Sequence, residues 1–272
     1  MGLRVNEPAS TVAQAFVAAR REARGLSAYP GDRPADMDAA YAIQGHAIRL
    51  DGRRVAGWKV GRINPPDDAR LGSNRLAGPI FADTVVDAAQ QVQPAMPVFA
   101  AGFAAAEAEI LLHVAAGFSG PVPRDDAGTR AVIDDVRLGI EIASSPYPHI
   151  NVDGPAVTAS DFGNNHGLVM GPAITGWQDA DLCAIPVTME IDGRVVGSGS
   201  AATMLDGPYG AVRFLLANLA ARGIDASGGL WVSSGAITGV HPVAAGSRVV
   251  ASFGSHGTVS CTISAAQTRA GG

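Results

Sequence analysis

Two kinds of hydrophobic spacing divide this chain. Residues 9–25 (ASTVAQAFVAARREARG) and 36–50 (DMDAAYAIQGHAIRL) repeat apolar positions at intervals of three and four, the spacing that lines one face of a helix. The Pro/Gly segment SAYPGDRP separates them, so two helices are predicted in the first fifty residues. From residue 55 onward short apolar or alternating runs are punctuated by Gly, Pro, Asn and Asp, which is strand grammar. The predicted strands are 55–61 (VAGWKVG), 106–114 (AEAEILLHV), 138–144 (LGIEIAS), 185–199 (IPVTMEIDGRVVGSG), 230–236 (LWVSSGA), 248–253 (RVVASF) and 258–264 (TVSCTIS). Asp192-Gly193 splits the fourth run as a hairpin turn. One more helix, 209–223 (YGAVRFLLANLAARG), ends on Gly223, the residue a helix C-terminus prefers.

The pattern implies an α+β fold, a mostly antiparallel β body with a helical N-terminal layer. We place the division at 1–54 for the helical cap region and 55–272 for the β-rich domain.

Within AEAEILLHV, Glu107 and Glu109 interrupt an otherwise apolar run. On a strand, residues i and i+2 share a face, so both carboxylates project together with Leu111 after them. In an apolar setting such a pair takes up a proton or holds a cation. Glu141, in the similar run LGIEIAS, is a third carboxylate, and three oxygen donors suit a hard divalent ion such as Mg²⁺ or Mn²⁺. The alternative is a pair of solvated glutamates on an edge strand or in a first helical turn.

Composition narrows the partners. Charged residues make up 17% of the 272, the net charge is −5, and the basic residues are scattered, so no nucleic-acid partner is expected. Two cysteines, Cys183 and Cys261, are too few for a disulfide framework and lack zinc-site spacing. MGLRVNEPAS has no apolar signal core, and no run approaches the ~20 apolar residues of a spanning helix. We expect no membrane partner and a cytoplasmic protein. Gly197, Gly199 and Ala202 fit a dinucleotide-loop spacing, but a turn after a hairpin strand explains them better, and no nucleophile elbow is present.

A series of motifs extends this reading. They are YAIQ (41–44), GWKVG (57–61), LG (71–72), FADT (81–84), AEAEI (106–110), IEIASS (140–145), DFGNNHG (161–167), GSGSAATMLDGP (197–208), LLANLAARG (215–223), SSGAITG (233–239) and FGSHGTVS (253–260). In this order they resemble the fumarylacetoacetate hydrolase superfamily, in its branch of 2-oxopent-4-enoate hydratases and 4-oxalocrotonate decarboxylases. The resemblance implies a fumarylacetoacetate hydrolase-like mixed β-sandwich or roll over the β-rich domain. It also implies Mg²⁺ or Mn²⁺ on Glu107, Glu109 and Glu141, Lys59 as a catalytic residue, and homo-oligomers built on dimers. Leu71, Asn164, Asn165, Ser234 and Gly235 are the substrate-binding positions it suggests.

Three departures from the hydratases stand out. LAGPIF (76–81) has no carboxylate where they carry an acid. Ser144-Ser145-Pro146 replaces the end of their Glu-x-x-Asp-Ser-Arg motif. The loop DFGNNHG (161–167) brings Asn164, Asn165 and His166 in place of the serines of their small-polar loop. His166 is therefore the candidate for the missing acid/base. The expected activity is a metal-dependent hydratase on a small 2-oxo or 2-hydroxydienoic acid. The rivals are a 4-oxalocrotonate-type decarboxylase, an acylpyruvate or β-diketone C–C hydrolase, and a metal-stabilised protein without activity.

Overall fold

The computed structural model describes residues 7–91 and 93–269. Two helices come first, α1 (Glu7–Arg21) and α2 (Met37–Asp51). Asp36 caps α2 by accepting the Ala39 N–H, and Gly52 ends it with φ of 76°. After them the chain runs β1 (Val55–Arg62), α3 (Asp67–Leu71), β2 (Arg75–Phe81), β3 (Val85–Asp87), β4 (Ala95–Val98) and β5 (Phe103–Val114). It continues through α4 (Asp126–Arg130), β6 (Ile133–Ser145), α5 (Pro155–Ser160), β7 (Asn165–Ala173), β8 (Pro186–Ile191), β9 (Arg194–Ser200) and α6 (Gly207–Ala221). The last elements are β10 (Leu230–Ser233), β11 (His241–Pro242), β12 (Arg248–Ser252) and β13 (Thr258–Ala265).

The strands form two sheets. The larger has the order β2-β1-β10-β5-β6-β7-β3, with β11 pairing onto β5; the smaller is β4-β13-β12-β8-β9. Most pairs are antiparallel, as the pattern predicts, with β1–β10, β3–β7 and β4–β13 parallel. The β8–β9 hairpin turns at Asp192 and Gly193, both at positive φ (52° and 77°), the conformation a two-residue hairpin loop demands. The glycines at 197 and 199 lie inside β9 rather than in a turn after it.

Side-chain alternation on β5 and β6 sets the core. Ala106, Ala108, Ile110 and Leu112, with Val136, Leu138, Ile140 and Ile142, join Val187, Met189, Val249, Ala251, Val259 and Ile263 of the smaller sheet in one buried cluster. Val212, Leu215, Leu216 and Leu219 of α6 complete it at helical spacing. Each such Leu or Ile contributes about 1.5–3 kcal/mol when fully buried. The opposite face of β5 carries the glutamates, and this too is buried: the larger sheet curls so that β2 and β7 come into contact, and Leu111 on that face packs with Ile80 and Leu168. A strand buried on both faces explains why so apolar a run contains carboxylates that water does not reach.

Five strands lie outside the predicted set, the short β3, β4 and β11 and the longer β2 and β7. β2 contains Gly78 and Pro79, which read as breakers; it ends the larger sheet, where a proline's missing N–H is tolerated. β7 begins inside DFGNNHG, at Asn165, so the last three of the seven residues read as a loop are strand.

Candidate metal centre and active-site cavity

The β5–β6 register brings the three carboxylates together. Glu107 pairs directly with Glu141, Glu109 follows two residues on, and one oxygen from each of the three lies within 4.8 Å of the others. Glu109 and Glu141 are fully buried and Glu107 is 4% exposed. Among the described residues this is the one cluster of potential metal ligands.

Its hydrogen bonding is half complete. Glu109 Oε2 accepts from the Ser233 hydroxyl at 2.5 Å and from the Gly235 N–H at 2.9 Å, while Oε1 has no partner. Glu141 Oε1 accepts from Asn165 Nδ2 at 3.0 Å and lies 3.4 Å from Lys59 Nζ, while Oε2 has no partner. A buried carboxylate oxygen without a donor is expensive, and two beside a third carboxylate are more so. One oxygen is held and one is left free on each of two converging carboxylates; this donor set fits a hard divalent cation.

Electrostatics agree with the geometry. Burial pushes Glu107 up to about 7; Lys59 pulls it back and Glu141 adds to the rise. Burial, then Glu141 and Glu107, hold Glu109 well above the ordinary carboxyl range. Burial alone would lower Lys59, but Glu141, Glu107 and Glu109 outweigh it and hold the ammonium above its ordinary value. Lys59 therefore stays protonated at neutral pH.

A cavity of about 650 Å³ opens beside the cluster, lined by Lys59, Glu107, Asn164, Ser234 and Gly235. The Ser234 hydroxyl is buried without a partner, leaving a donor for a ligand. Asn164 directs Oδ1 toward Lys59 Nζ at 3.4 Å and donates Nδ2 to Asn151 at 2.9 Å. Asn151, Thr158, Arg62 and Arg75 also line the cavity, and the sequence gives no motif that singles them out. Arg75 is paired with Asp206 at 2.5 Å.

Three expected residues sit elsewhere. His166 does not line the cavity: on β7 it alternates with Asn165, so when Asn165 reaches Glu141 the imidazole turns to the opposite face. There it lies 3.2 Å from Arg20 Nη1 and packs on Phe99 at 4.5 Å. Burial and then Arg20 hold its pKa well below the ordinary value, so the ring is neutral. Leu71 ends α3 and packs toward Met37, Ala40, Ile63 and Leu76; of this group Leu76 reaches the cavity and Leu71 does not. Asn165 stands behind Glu141 rather than on the cavity wall.

The turn that presents the asparagines is unusual. Phe162, Gly163 and Asn164 all have left-handed φ, at 56°, 60° and 57°, and two of them are not glycine. Gly78 on β2 admits this turn, since a Cβ there would lie 2.1 Å from the Phe162 carbonyl oxygen.

No family model matches the chain. Among curated relatives, it is 28% identical over 231 residues to 4-oxalocrotonate decarboxylase of Pseudomonas putida, covering 81% of this chain and 83% of that one. It is 29% identical over 245 residues to 2-hydroxyhexa-2,4-dienoate hydratase of Comamonas testosteroni, covering 88% and 90%. Among solved structures, 4-oxalocrotonate decarboxylase from Pseudomonas putida G7, complexed with magnesium and adipate, superposes with a TM-score of 0.79 over 96% of this chain and 99% of that one, at 23% identity.

Proposed function

We propose that this chain is a member of the fumarylacetoacetate hydrolase superfamily and a divalent-metal-dependent hydratase acting on a small 2-hydroxydienoic or 2-oxo acid, a reading supported by its curated relatives and its fold. The observation that carries the proposal is the buried set of Glu107, Glu109 and Glu141, with unpaired oxygens beside a cavity that Lys59 enters.

Glu107, Glu109 and Glu141 would hold Mg²⁺ or Mn²⁺, which when bound supplies Lewis-acid polarisation of a substrate oxygen. The protein's own groups do the rest. The Lys59 ammonium pairs with the anionic substrate and offers a proton donor where negative charge develops on the 2-oxygen. The Ser234 hydroxyl donates to the substrate carboxylate, and Asn164 fixes the Lys59 head through its side-chain oxygen. Ionisable side chains on the described cavity wall are Lys59, Glu107, Arg62, Arg75 and Asp67, and Asp67 is engaged by Arg70. With Glu107 committed as a metal ligand, proton transfer falls to Lys59, and His166, which does not line the cavity, supplies none of it.

A second reading, decarboxylation of a 2-oxo dicarboxylate, draws on Arg62 and Arg75. They are cross-strand partners at the cavity wall, and Arg62 has no ion-pair partner among the described residues. Either guanidinium could meet a distal carboxylate. The 1–54 and 55–272 division, assembly into homo-oligomers built on dimers, and a cytoplasmic location complete the proposal. No described helix is long and apolar enough to cross a membrane.

The test is metal-dependent exchange of the C3 protons of a generic 2-oxo acid in D₂O, followed by NMR of the products from 2-hydroxypenta-2,4-dienoate. Exchange together with a 4-hydroxy-2-oxo product supports the hydratase. Absence of exchange in the metal-loaded protein refutes enzymatic function at this site.

A further inference from the structure

Arg20 lies in the last turn of α1, far along the chain from every candidate site residue, yet it is among the most engaged side chains in the molecule. Its side chain is 2% exposed. Nε and Nη2 grip the Asp161 carboxylate at 2.6 and 2.9 Å, a two-pronged pairing that only a guanidinium makes. Nη1 donates to the Asn165 carbonyl at 3.2 Å, and Nη2 to the Ser144 and Asp161 carbonyls at 3.1 and 3.3 Å. The guanidinium also stacks near Phe162, 5.0 Å from the ring centre.

These contacts fall on both sides of the left-handed turn. Asp161 precedes Phe162, Gly163 and Asn164, and Asn165 follows them, so one side chain bridges the two ends. Left-handed φ is tolerated by Asn164 but disfavoured at Phe162, where it persists only because surrounding contacts dictate it. The turn's output is the polar setting of the site: Asn164 Oδ1 faces Lys59, and Asn165 Nδ2 holds Glu141. His166, the next residue, also accepts from Arg20 through Nδ1 if its proton is on Nε2.

We infer that Arg20 is a positioning residue for the active site, clamping residues 161 and 165 so that Asn164 and Asn165 address Lys59 and Glu141. The N-terminal helix is then a working part of the site rather than a detachable cap. The turnover readout rests on the hydratase reading, whereas the metal-affinity readout does not.

The test uses Arg20→Lys, which keeps the charge and the stem but lacks the planar fork. Where Arg20→Lys fails to fold, Arg20→Met combined with Asp161→Asn removes both buried charges and takes its place. Folding is checked by thermal melting, Mn²⁺ affinity by calorimetry on chelator-treated protein, and turnover on 2-hydroxypenta-2,4-dienoate. Residues that orient metal ligands typically contribute about 10–100-fold to affinity or activity. We expect a folded variant with Mn²⁺ affinity down by about tenfold, and kcat down at least as far while KM changes less. The decisive control is a double-mutant cycle. In an Asn165→Ala background the Arg20 substitution should have little further effect on Mn²⁺ affinity, because the residue it acts through is gone.

A folded variant with unchanged Mn²⁺ affinity overturns the inference, as do additive losses in the cycle. If the parent itself turned over no dienoate, the hydratase reading would fail while the Mn²⁺ cycle still decided the role of Arg20.

Discussion

Neutralising one member of the carboxylate cluster should move stability and metal affinity in opposite directions. In Glu107→Gln the side chain keeps its shape and loses its charge. Burial has raised this carboxyl from the ordinary 4.5 to about 7. At about 1.4 kcal/mol for each pH unit, ionising it in the folded, metal-free protein costs about 3 kcal/mol. A raised folded-state pKa means that the native state binds more protons than the unfolded one. The favourable contribution is therefore complete below about pH 4.5 and is lost as pH rises toward 7. Glu107→Gln should consequently match the parent near pH 4.5 and exceed it at pH 8. For a chain of this length, about 3 kcal/mol corresponds to a gain on the order of 5–10 °C in melting temperature. Melting of chelator-treated protein at the two pH values measures this directly, and Mn²⁺ calorimetry on the same samples should show affinity reduced by at least about tenfold. A variant that melts below the parent at pH 8, or that keeps full Mn²⁺ affinity, would refute the reasoning.

Lys59→Met keeps the aliphatic stem; we expect a folded protein with turnover down ~10²-fold or more in steady-state kinetics. His166→Asn should leave the pH–rate profile unchanged, since the imidazole is neutral and turned from the cavity; loss of an ionisation between about pH 6 and 7.5 would reinstate it as acid or base. Gly78→Ala puts a methyl 2.1 Å from the Phe162 carbonyl oxygen and should displace the left-handed turn, read as lost turnover and a lower melting temperature.

The sequence pattern carried the metal cluster further than its motifs suggest. Same-face spacing of Glu107 and Glu109 follows from strand periodicity alone, and the similar apolar character of 138–144 marks Glu141 as a companion. The direct pairing of Glu107 with Glu141 depends on register, which periodicity does not give. Strands β3, β4 and β11, of two to four residues, are too short to show alternation, and local breakers hid the two longer ones: Gly78-Pro79 in β2, and the Gly and Pro residues of β7. The orientation of His166, away from the cavity, was hidden for a related reason. Treating 161–167 as one loop left its side chains free to point anywhere, whereas a strand starting at Asn165 fixes alternate faces. The Arg20–Asp161 pair spans 141 positions and joins a surface-spaced helix to a loop, so no local signal connects them. Leu71 was placed through the LG motif, but α3 turns it toward the core and leaves Leu76 at the cavity.

The central claim is that Glu107, Glu109 and Glu141 hold a divalent cation against which a 2-oxo acid lies within reach of Lys59. Crystals grown with Mn²⁺ and oxalate, with anomalous diffraction recorded for manganese, test it most directly. The account predicts an anomalous peak bonded to all three carboxylates, with oxalate extending from it into the cavity beside Lys59 and Ser234. A peak bonded to other residues, or no peak among these three at saturating Mn²⁺, would contradict it.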